Sequence, residues 1–163
     1  MNSVSIQFCA FKSFWGRLFP WFSQGKVGHV DIVLPSGDLL GAQHEDGLGG
    51  EPSGVRVRPA DYLASCGGTS VIRVSFDATP QQAQAFYDFA HAQVGKPYDT
   101  RGILAFIFGR NWRDDRAWFC SELAAAALEA AGIVRRLSSP ANKITPAGLL
   151  LVCSALADVT PAA

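Results

Sequence analysis

The segment Ala117-Trp118-Phe119-Cys120-Ser121-Glu122-Leu123 runs directly into the alanine-rich residues 124–131. Apolar residues recur through it at spacings of three and four, the pattern of a helix with one apolar face, and alanine and leucine favour that conformation. Gly132 supplies a stop signal. The pattern predicts a helix that starts at or near Cys120, where free backbone N–H groups and the helix dipole favour a thiolate.

The helix terminus alone is too weak to turn a cysteine into a nucleophile. A thiol with the ordinary pKa of about 8.5 is only slightly ionised at pH 7, and lowering that pKa by two units takes about 2.7 kcal/mol. A helix terminus supplies about 0.3–1 kcal/mol, so a partner such as an imidazolium has to supply the rest. The histidines available for this role are His29, His44 and His91.

The composition predicts a single domain with a sizeable core. The 163 residues are 48% hydrophobic, and Lys+Arg 14 balance Asp+Glu 14. A neutral balance disfavours a nucleic-acid partner. The cysteines show no C-x-x-C spacing, so we expect reduced thiols and no structural zinc. Thiol chemistry also requires no metal or organic cofactor. We expect one domain over residues 1–163, with a loose tail from about residue 158.

The N-terminus has no secretory signal, and no apolar run is long enough to span a membrane. We therefore expect a cytoplasmic chain as synthesised, with export by another route, such as phage or toxin delivery, left open. Residues 11–22 are crowded with aromatic side chains. We interpret them as a helix or loop across the core. The alternative is a membrane, lipid or substrate contact through Phe11, Trp15, Phe19 and Trp21.

The first half of the chain alternates polar and apolar residues in the manner of a small antiparallel sheet. The predicted strands are residues 3–9, 28–34, 39–42, 55–58 and 71–76. His29 starts the second strand beside Gly28, a residue type that permits close approach to the backbone.

The second half is predicted to be helical. Thr79-Pro80-Gln81-Gln82 combines an N-cap, a first-turn proline and a capping-box glutamine, and it opens a helix whose apolar stripe ends near Gly95. Thr145-Pro146 opens a last helix that we expect to run through Leu156.

Four segments together resemble the circularly permuted NlpC-like branch of the papain-type cysteine hydrolases, which is related to the lecithin retinol acyltransferase-like proteins. They are Gly28-His29-Val30-Asp31-Ile32-Val33 with its hairpin, Gly95-Lys96-Pro97-Tyr98-Asp99, Trp118-Phe119-Cys120-Ser121-Glu122-Leu123 and Thr145-Pro146. In that branch the histidine strand precedes the cysteine helix, as it does here. The resemblance covers about residues 4 to 152. It implies an α+β, papain-like fold with a small antiparallel sheet packed against the helix that carries Cys120.

The resemblance also implies that Cys120 is the nucleophile and His29 its general base. The imidazole would take the thiol proton, the thiolate would attack an acyl carbon, and the imidazolium would protonate the leaving group. The backbone N–H of Cys120 would be one oxyanion donor, with Tyr98 as a candidate for a second.

The third catalytic residue is where the sequence departs from the family. Relatives place a polar residue on the strand after the histidine strand, where it orients the imidazole. Here the first polar residue on that strand is Gln43, which shares a face with Leu39 and Gly41. We rank Gln43 first. Asp31, two residues from His29 on the same strand face, is the rival.

The leading interpretation is a cysteine peptidase or amidase that cleaves an amide bond, in a peptidoglycan stem peptide or another peptide, through an acyl-enzyme on Cys120. The first alternative is a lipid or ester acyl hydrolase or acyltransferase of the same fold, because the aromatic residues 11–22 would suit an acyl chain. The second is a catalytically silent binding module. The expected partner is a peptide or acyl substrate, and no feature of the sequence sets an oligomeric state.

Overall fold

The computed structural model describes residues 2–11, 27–44, 53–62, 68–99, 117–135 and 144–160. Within these ranges it contains six strands and three helices. The strands are β1 (Asn2–Phe11), β2 (His29–Val33), β3 (Leu39–Gln43), β4 (Gly54–Arg58), β5 (Gly68–Ala78) and β6 (Asp158–Thr160). The helices are α1 (Pro80–His91), α2 (Cys120–Ala130) and α3 (Pro146–Ser154).

The strands described form one antiparallel sheet in the order β4-β3-β2-β1-β5-β6. Strand β1 lies inside the sheet, between β2 and β5. Its pairing with β2 runs from Ser5 opposite Val33 to Cys9 opposite His29. The fold is therefore α+β with an antiparallel sheet, as the sequence predicted, and the start of β2 lies beside the second half of β1.

The sheet has one large apolar face and one smaller one. Alternate residues of β1 and β2 join the helices in the larger cluster, which includes Ile6, Phe8, Val30, Ile32, Phe86, Leu123 and Leu128. A second, smaller cluster contains Cys9, Val33, Leu39 and Tyr62. Because successive side chains of a strand point to opposite faces, His29 and Asp31 belong to the same face as Val33. Helix α2 packs against α1, β2 and β3.

The helix starts are where the sequence predicted them. The Thr79 hydroxyl accepts from Gln82 N at 3.2 Å, and Gln82 Oε1 accepts from Thr79 N at 3.1 Å, which completes the capping box of α1. Thr145 caps α3 in the same way, with its hydroxyl accepting from Gly148 N at 2.9 Å. Helix α2 begins at Cys120, and Gly132 follows its end with φ +63°.

Two expected helix ends and the expected loose tail differ from the structure. Helix α1 ends at His91 and is followed by turns up to Gly95, and α3 ends at Ser154 instead of Leu156. The tail from about residue 158 is not loose throughout, because Asp158–Thr160 pairs with β5 as β6. Valine and threonine suit a strand, and β5 offers them an edge with free backbone groups.

The aromatic segment 11–22 lies outside the described residues, apart from Phe11 at the end of β1. Its membrane or substrate role therefore stays a prediction. In the part of the chain that the structure describes, no helix is both long enough and apolar enough to cross a bilayer.

Candidate active site

The backbone just before Cys120 is fixed by the Gly95–Asp99 turn. Tyr98 and Trp118 form a parallel bridge. Trp118 N donates to Pro97 O at 3.1 Å, and Asp99 N donates to Trp118 O at 3.0 Å. The segments 95–99 and 117–119, which are distant in sequence, are thus hydrogen-bonded neighbours. Their pairing sets the position at which α2 can begin.

Cys120 occupies the first turn of α2. The N-cap residue, Phe119, is extended and makes no side-chain hydrogen bond to the helix. No side chain at the cap therefore competes for the first N–H groups of the helix, which can stabilise an anion. The Cys120 side chain itself is buried.

His29 connects this helix start to the sheet. Its Nε2–H donates to Asp31 Oδ1 at 2.9 Å, and its ring also makes a side-chain hydrogen bond with Cys120. Since Nε2 faces Asp31, we assign Nδ1 to the Cys120 sulfur. The histidine strand and the cysteine helix therefore meet at the residues that the resemblance named, and the imidazole is held between a thiol and a carboxylate.

Burial alone would lower the pKa of His29. The Asp31 carboxylate and the Cys120 sulfur act in the opposite direction, through both charge and hydrogen bonding, and together raise this pKa to about 10. The imidazolium is therefore the favoured form at neutral pH. An imidazolium between two acidic groups is the arrangement that a thiolate–imidazolium pair requires.

Asp31 reaches His29 because Gly41 leaves it room. A Cβ at Gly41 would lie 1.8 Å from Asp31 Oδ1. Any side chain at that position would displace the carboxylate, so the glycine of β3 makes room for the acid of β2. By contrast, a Cβ at Gly28 would meet no atom of the described residues within 4 Å. The glycine that matters for the histidine is thus Gly41 and not its sequence neighbour.

Gln43, ranked first for the third role, does not contact His29. Its side chain is 4% exposed, and among the described residues neither its amide oxygen nor its amide nitrogen has a hydrogen-bond partner. Extending the observed pairs Ile32↔Leu40 and Val33↔Leu39 brings Gln43 opposite His29. Gln43 therefore lies across from His29 on the next strand, whereas the side chain that hydrogen-bonds the imidazole is Asp31.

Tyr62 is part of the site, although the sequence interpretation missed it. Its hydroxyl donates to Asp31 Oδ2 at 2.5 Å and lies 3.2 Å from His29 Nε2. Arg58 lies over the Tyr62 ring, with its guanidinium carbon 5.5 Å from the ring centroid. No spacing in the sequence signals this contact, because Tyr62 follows β4 and lies 31 residues from Asp31 along the chain.

Tyr98, the candidate for a second oxyanion donor, lies near the Cys120 sulfur. Burial raises the pKa of Tyr98, and the nearby Cys120 and Asp99 raise it further. The His44 ring packs edge-on against the Tyr98 ring, with centroids 5.6 Å apart. The phenol is therefore a neutral donor close to Cys120, and its oxyanion role stays a prediction.

The other described cysteines differ from Cys120 in their surroundings. Cys9 pairs with His29 across β1 and β2, and burial, Asp31 and Cys120 all raise the pKa of its thiol. Burial raises the pKa of Cys153 to about 12. Both thiols are therefore held protonated, and neither forms a disulfide.

Comparison with known proteins identifies a similar fold and no family. No family model and no curated protein matches the sequence. The chain is similar to the crystal structure of the metalloprotein yiiX from Escherichia coli O157:H7, a DUF1105 protein. The TM-score is 0.54 and the identity 17%, over 87% of this chain and 78% of that chain. Within the described ranges of this chain, no three His, Cys, Asp or Glu side chains are grouped to hold a metal ion.

Proposed function

We propose that the protein is a cysteine hydrolase of the permuted, papain-like NlpC type, with Cys120 as nucleophile, His29 as base and Asp31 as the residue that orients the imidazole. The observation that carries the proposal is the buried His29 ring, hydrogen-bonded to both the Cys120 thiol and the Asp31 carboxylate. The order of histidine strand and cysteine helix, and the packing of α2 on β2 and β3, support the papain-like part.

The proposed reaction begins from the ion pair, in which the Cys120 proton already resides on His29 and the sulfur is a thiolate. The thiolate attacks the acyl carbon, and the oxyanion is stabilised by the N–H groups at the start of α2, with Tyr98 as a further donor. The His29 imidazolium then protonates the leaving group, and water hydrolyses the thioester with His29 as base. Asp31 stabilises the imidazolium throughout and keeps Nδ1 directed at the sulfur.

The substrate class we favour is an amide, such as a peptide bond in a peptidoglycan stem. An amine leaves an acyl carbon only if it is protonated, and the His29 imidazolium beside Cys120 is the group that can supply this proton. The alcohol leaving group of an ester depends less on protonation by an acid than an amine does. The position of an acid beside the nucleophile is therefore the feature that supports an amide substrate.

The proposal is tested by trapping the acyl-enzyme. The protein is incubated with defined muramyl peptides, or with phospholipid micelles, then acid-quenched and analysed by intact-mass and peptide mass spectrometry. We expect a thioester on Cys120 with a peptide, absent in Cys120→Ala. A thioester formed only with the lipid would transfer the proposal to acyl-lipid chemistry. No adduct with either substrate, in protein that is folded, would contradict an acyl-enzyme on Cys120.

Two variants distinguish the candidates for the third residue. Asp31→Asn keeps the shape but removes the charge that favours the imidazolium, so we expect acyl-enzyme formation to fall by about 10²–10⁴. Gln43→Met keeps the volume and removes only the unpaired amide, so we expect the rate to stay within about twofold. A large fall in the rate of acyl-enzyme formation in Gln43→Met, with little change in Asp31→Asn, would make Gln43 the third catalytic residue.

A further inference from the structure

Tyr62 contacts both members of the Asp31–His29 pair. Its hydroxyl donates to Asp31 Oδ2 at 2.5 Å, while His29 Nε2–H donates to Asp31 Oδ1 at 2.9 Å. The phenol oxygen also lies 3.2 Å from His29 Nε2. A phenol has one proton and two lone pairs, so it can give its proton to Asp31 and still accept from the ring N–H. The three groups therefore form a closed triangle.

The Tyr62 ring is held independently of this triangle. The Arg58 guanidinium stacks on it and donates to Gly41 O at 3.1 Å, so the cation is tied to β3. Cys9, Val33 and Leu39 complete the apolar cluster around the ring. A hydroxyl fixed in this way holds the Asp31 carboxylate in one orientation.

The phenol stays a donor over the range in which the protein would work. Burial, together with the Asp31 carboxylate, raises the pKa of Tyr62. The proton on the hydroxyl is therefore retained at neutral and moderately alkaline pH. Asp31 consequently has a permanent partner for the oxygen that His29 does not use.

We propose that Tyr62 is a positioning residue, which fixes the Asp31 carboxylate on the imidazole and thereby helps to keep His29 protonated. The inference deepens the proposed function, because it makes the working unit Cys120–His29–Asp31–Tyr62. Of the described titratable groups, those that face His29 from other elements are Cys120 on α2 and Cys9 on β1, with Arg58 of β4 behind Tyr62.

The first test is the titration of His29 by histidine-selective NMR in wild type and Tyr62→Phe, with the signal assigned from His29→Gln. Removing the hydroxyl frees Asp31 to turn and removes an acceptor for the ring N–H. We expect the His29 midpoint to fall by about one pH unit, a tenfold change in the protonation equilibrium. Tyr87→Phe is the matched control, because the bond that the Tyr87 hydroxyl makes to the described residues is a long one, to Val33 O at 3.4 Å. An unchanged His29 midpoint in Tyr62→Phe would overturn the proposal.

A double-variant cycle shows whether Tyr62 acts through Asp31. In the Asp31→Asn background, Tyr62→Phe should change the His29 midpoint by less than about 0.3 units, because the group that Tyr62 positions is already gone. Equal shifts in the two backgrounds would mean that Tyr62 acts on the histidine alone, and would contradict the positioning role.

A measurement on the wild type remains available if Tyr62→Phe does not fold. A short, buried hydrogen bond from a phenol to a carboxylate should give a slowly exchanging hydroxyl proton far downfield in the NMR spectrum, lost in Asp31→Asn. Its absence from the wild type would contradict the triangle. These NMR readouts need no turnover, so an inactive protein with the expected titration would refute the hydrolase and retain the Tyr62 assignment.

Discussion

The Asp31 carboxylate reaches His29 because the residue across from it on β3 is a glycine. A methyl group at Gly41 would occupy the space of Asp31 Oδ1. The atom that has to yield is the end of a side chain and not the backbone, so the fold can survive while the Asp31–His29 hydrogen bond cannot. The glycine is thus a requirement of the site more than of the sheet.

Gly41→Ala should therefore act on the histidine. We expect iodoacetamide labelling of Cys120 at pH 6 to slow by about tenfold, because an imidazolium that Asp31 no longer holds in place stabilises the thiolate less, by about 1.4 kcal/mol, with the circular dichroism spectrum unchanged. Gly28→Ala adds the same methyl group beside His29, where it meets no atom of the described residues within 4 Å, and should leave the rate unchanged. Equal rates in both variants would show that Asp31 does not depend on the space at Gly41.

The buried amide of Gln43 leads to a second prediction, which concerns stability. Its buried amide has no hydrogen-bond partner in the part of the chain that the structure describes, and leaving such a group unsatisfied costs about 1–3 kcal/mol. Gln43→Met should therefore raise the free energy of unfolding in urea by about 1 kcal/mol. Gln7→Met is a matched control: Gln7 Oε1 accepts from Arg73 at 2.9 Å, so this variant should lose stability. A loss of stability in Gln43→Met would show that the amide has a favourable role.

The sequence could identify only part of the site. Cys120 and His29 carried strong local signals, a helix start and a strand start. Asp31 was recognised by its spacing but ranked second, because the family pattern points to the next strand. The decisive signal, Gly41 opposite Asp31, needs the strand register. Tyr62 could not be found, because its contact depends on how the chain after β4 folds over the sheet.

The helices differ in how their first turns are satisfied. Helices α1 and α3 have threonine caps, whereas α2, which carries Cys120, has no side-chain cap. Capping stabilises a helix, and its absence leaves N–H groups for an anion. The helix that would perform chemistry is therefore the one without a cap, and local sequence signals sufficed to place all three starts.

The cap of α1 should contribute to stability alone. Thr79→Ala removes the hydroxyl that accepts from Gln82 N, and we expect the free energy of unfolding to fall by about 1 kcal/mol in urea titrations. Ser154→Ala also removes a hydroxyl, at an exposed position at the end of α3, and should change it by less than about 0.5 kcal/mol. Cys120 labelling should be the same in both variants. Slower labelling of Cys120 in Thr79→Ala would show that the stability of α1 affects the site.

Segment ends were harder to predict than segment starts. The tail after α3 has few apolar residues, which indicates a loose segment, yet Asp158–Thr160 completes the edge of β5. These residues are held in place by their pairing with β5, a strand that is distant in sequence. Local propensity contains no information about such a neighbour.

For the whole molecule, the raised pKa of His29 links stability to pH. A group whose pKa is higher in the folded state than the unfolded value of about 6.5 stabilises the fold fully below that value. The contribution declines as pH rises and is lost once pH passes the folded pKa of about 10. We therefore expect the free energy of unfolding of the wild type to fall between pH 6.5 and 10 relative to His29→Gln. Parallel profiles would show that His29 is not held protonated in the fold.

The measurement that tests the account most directly is the pH dependence of iodoacetamide labelling at each cysteine, read by peptide mass spectrometry in wild type and His29→Ala. Cys9 and Cys153 are internal controls, because burial raises the pKa of both thiols. We expect Cys120 alone to react rapidly below pH 7 and to lose this advantage without His29. Labelling of Cys120 that follows the other thiols, or that is unchanged in His29→Ala, would contradict the thiolate–imidazolium pair.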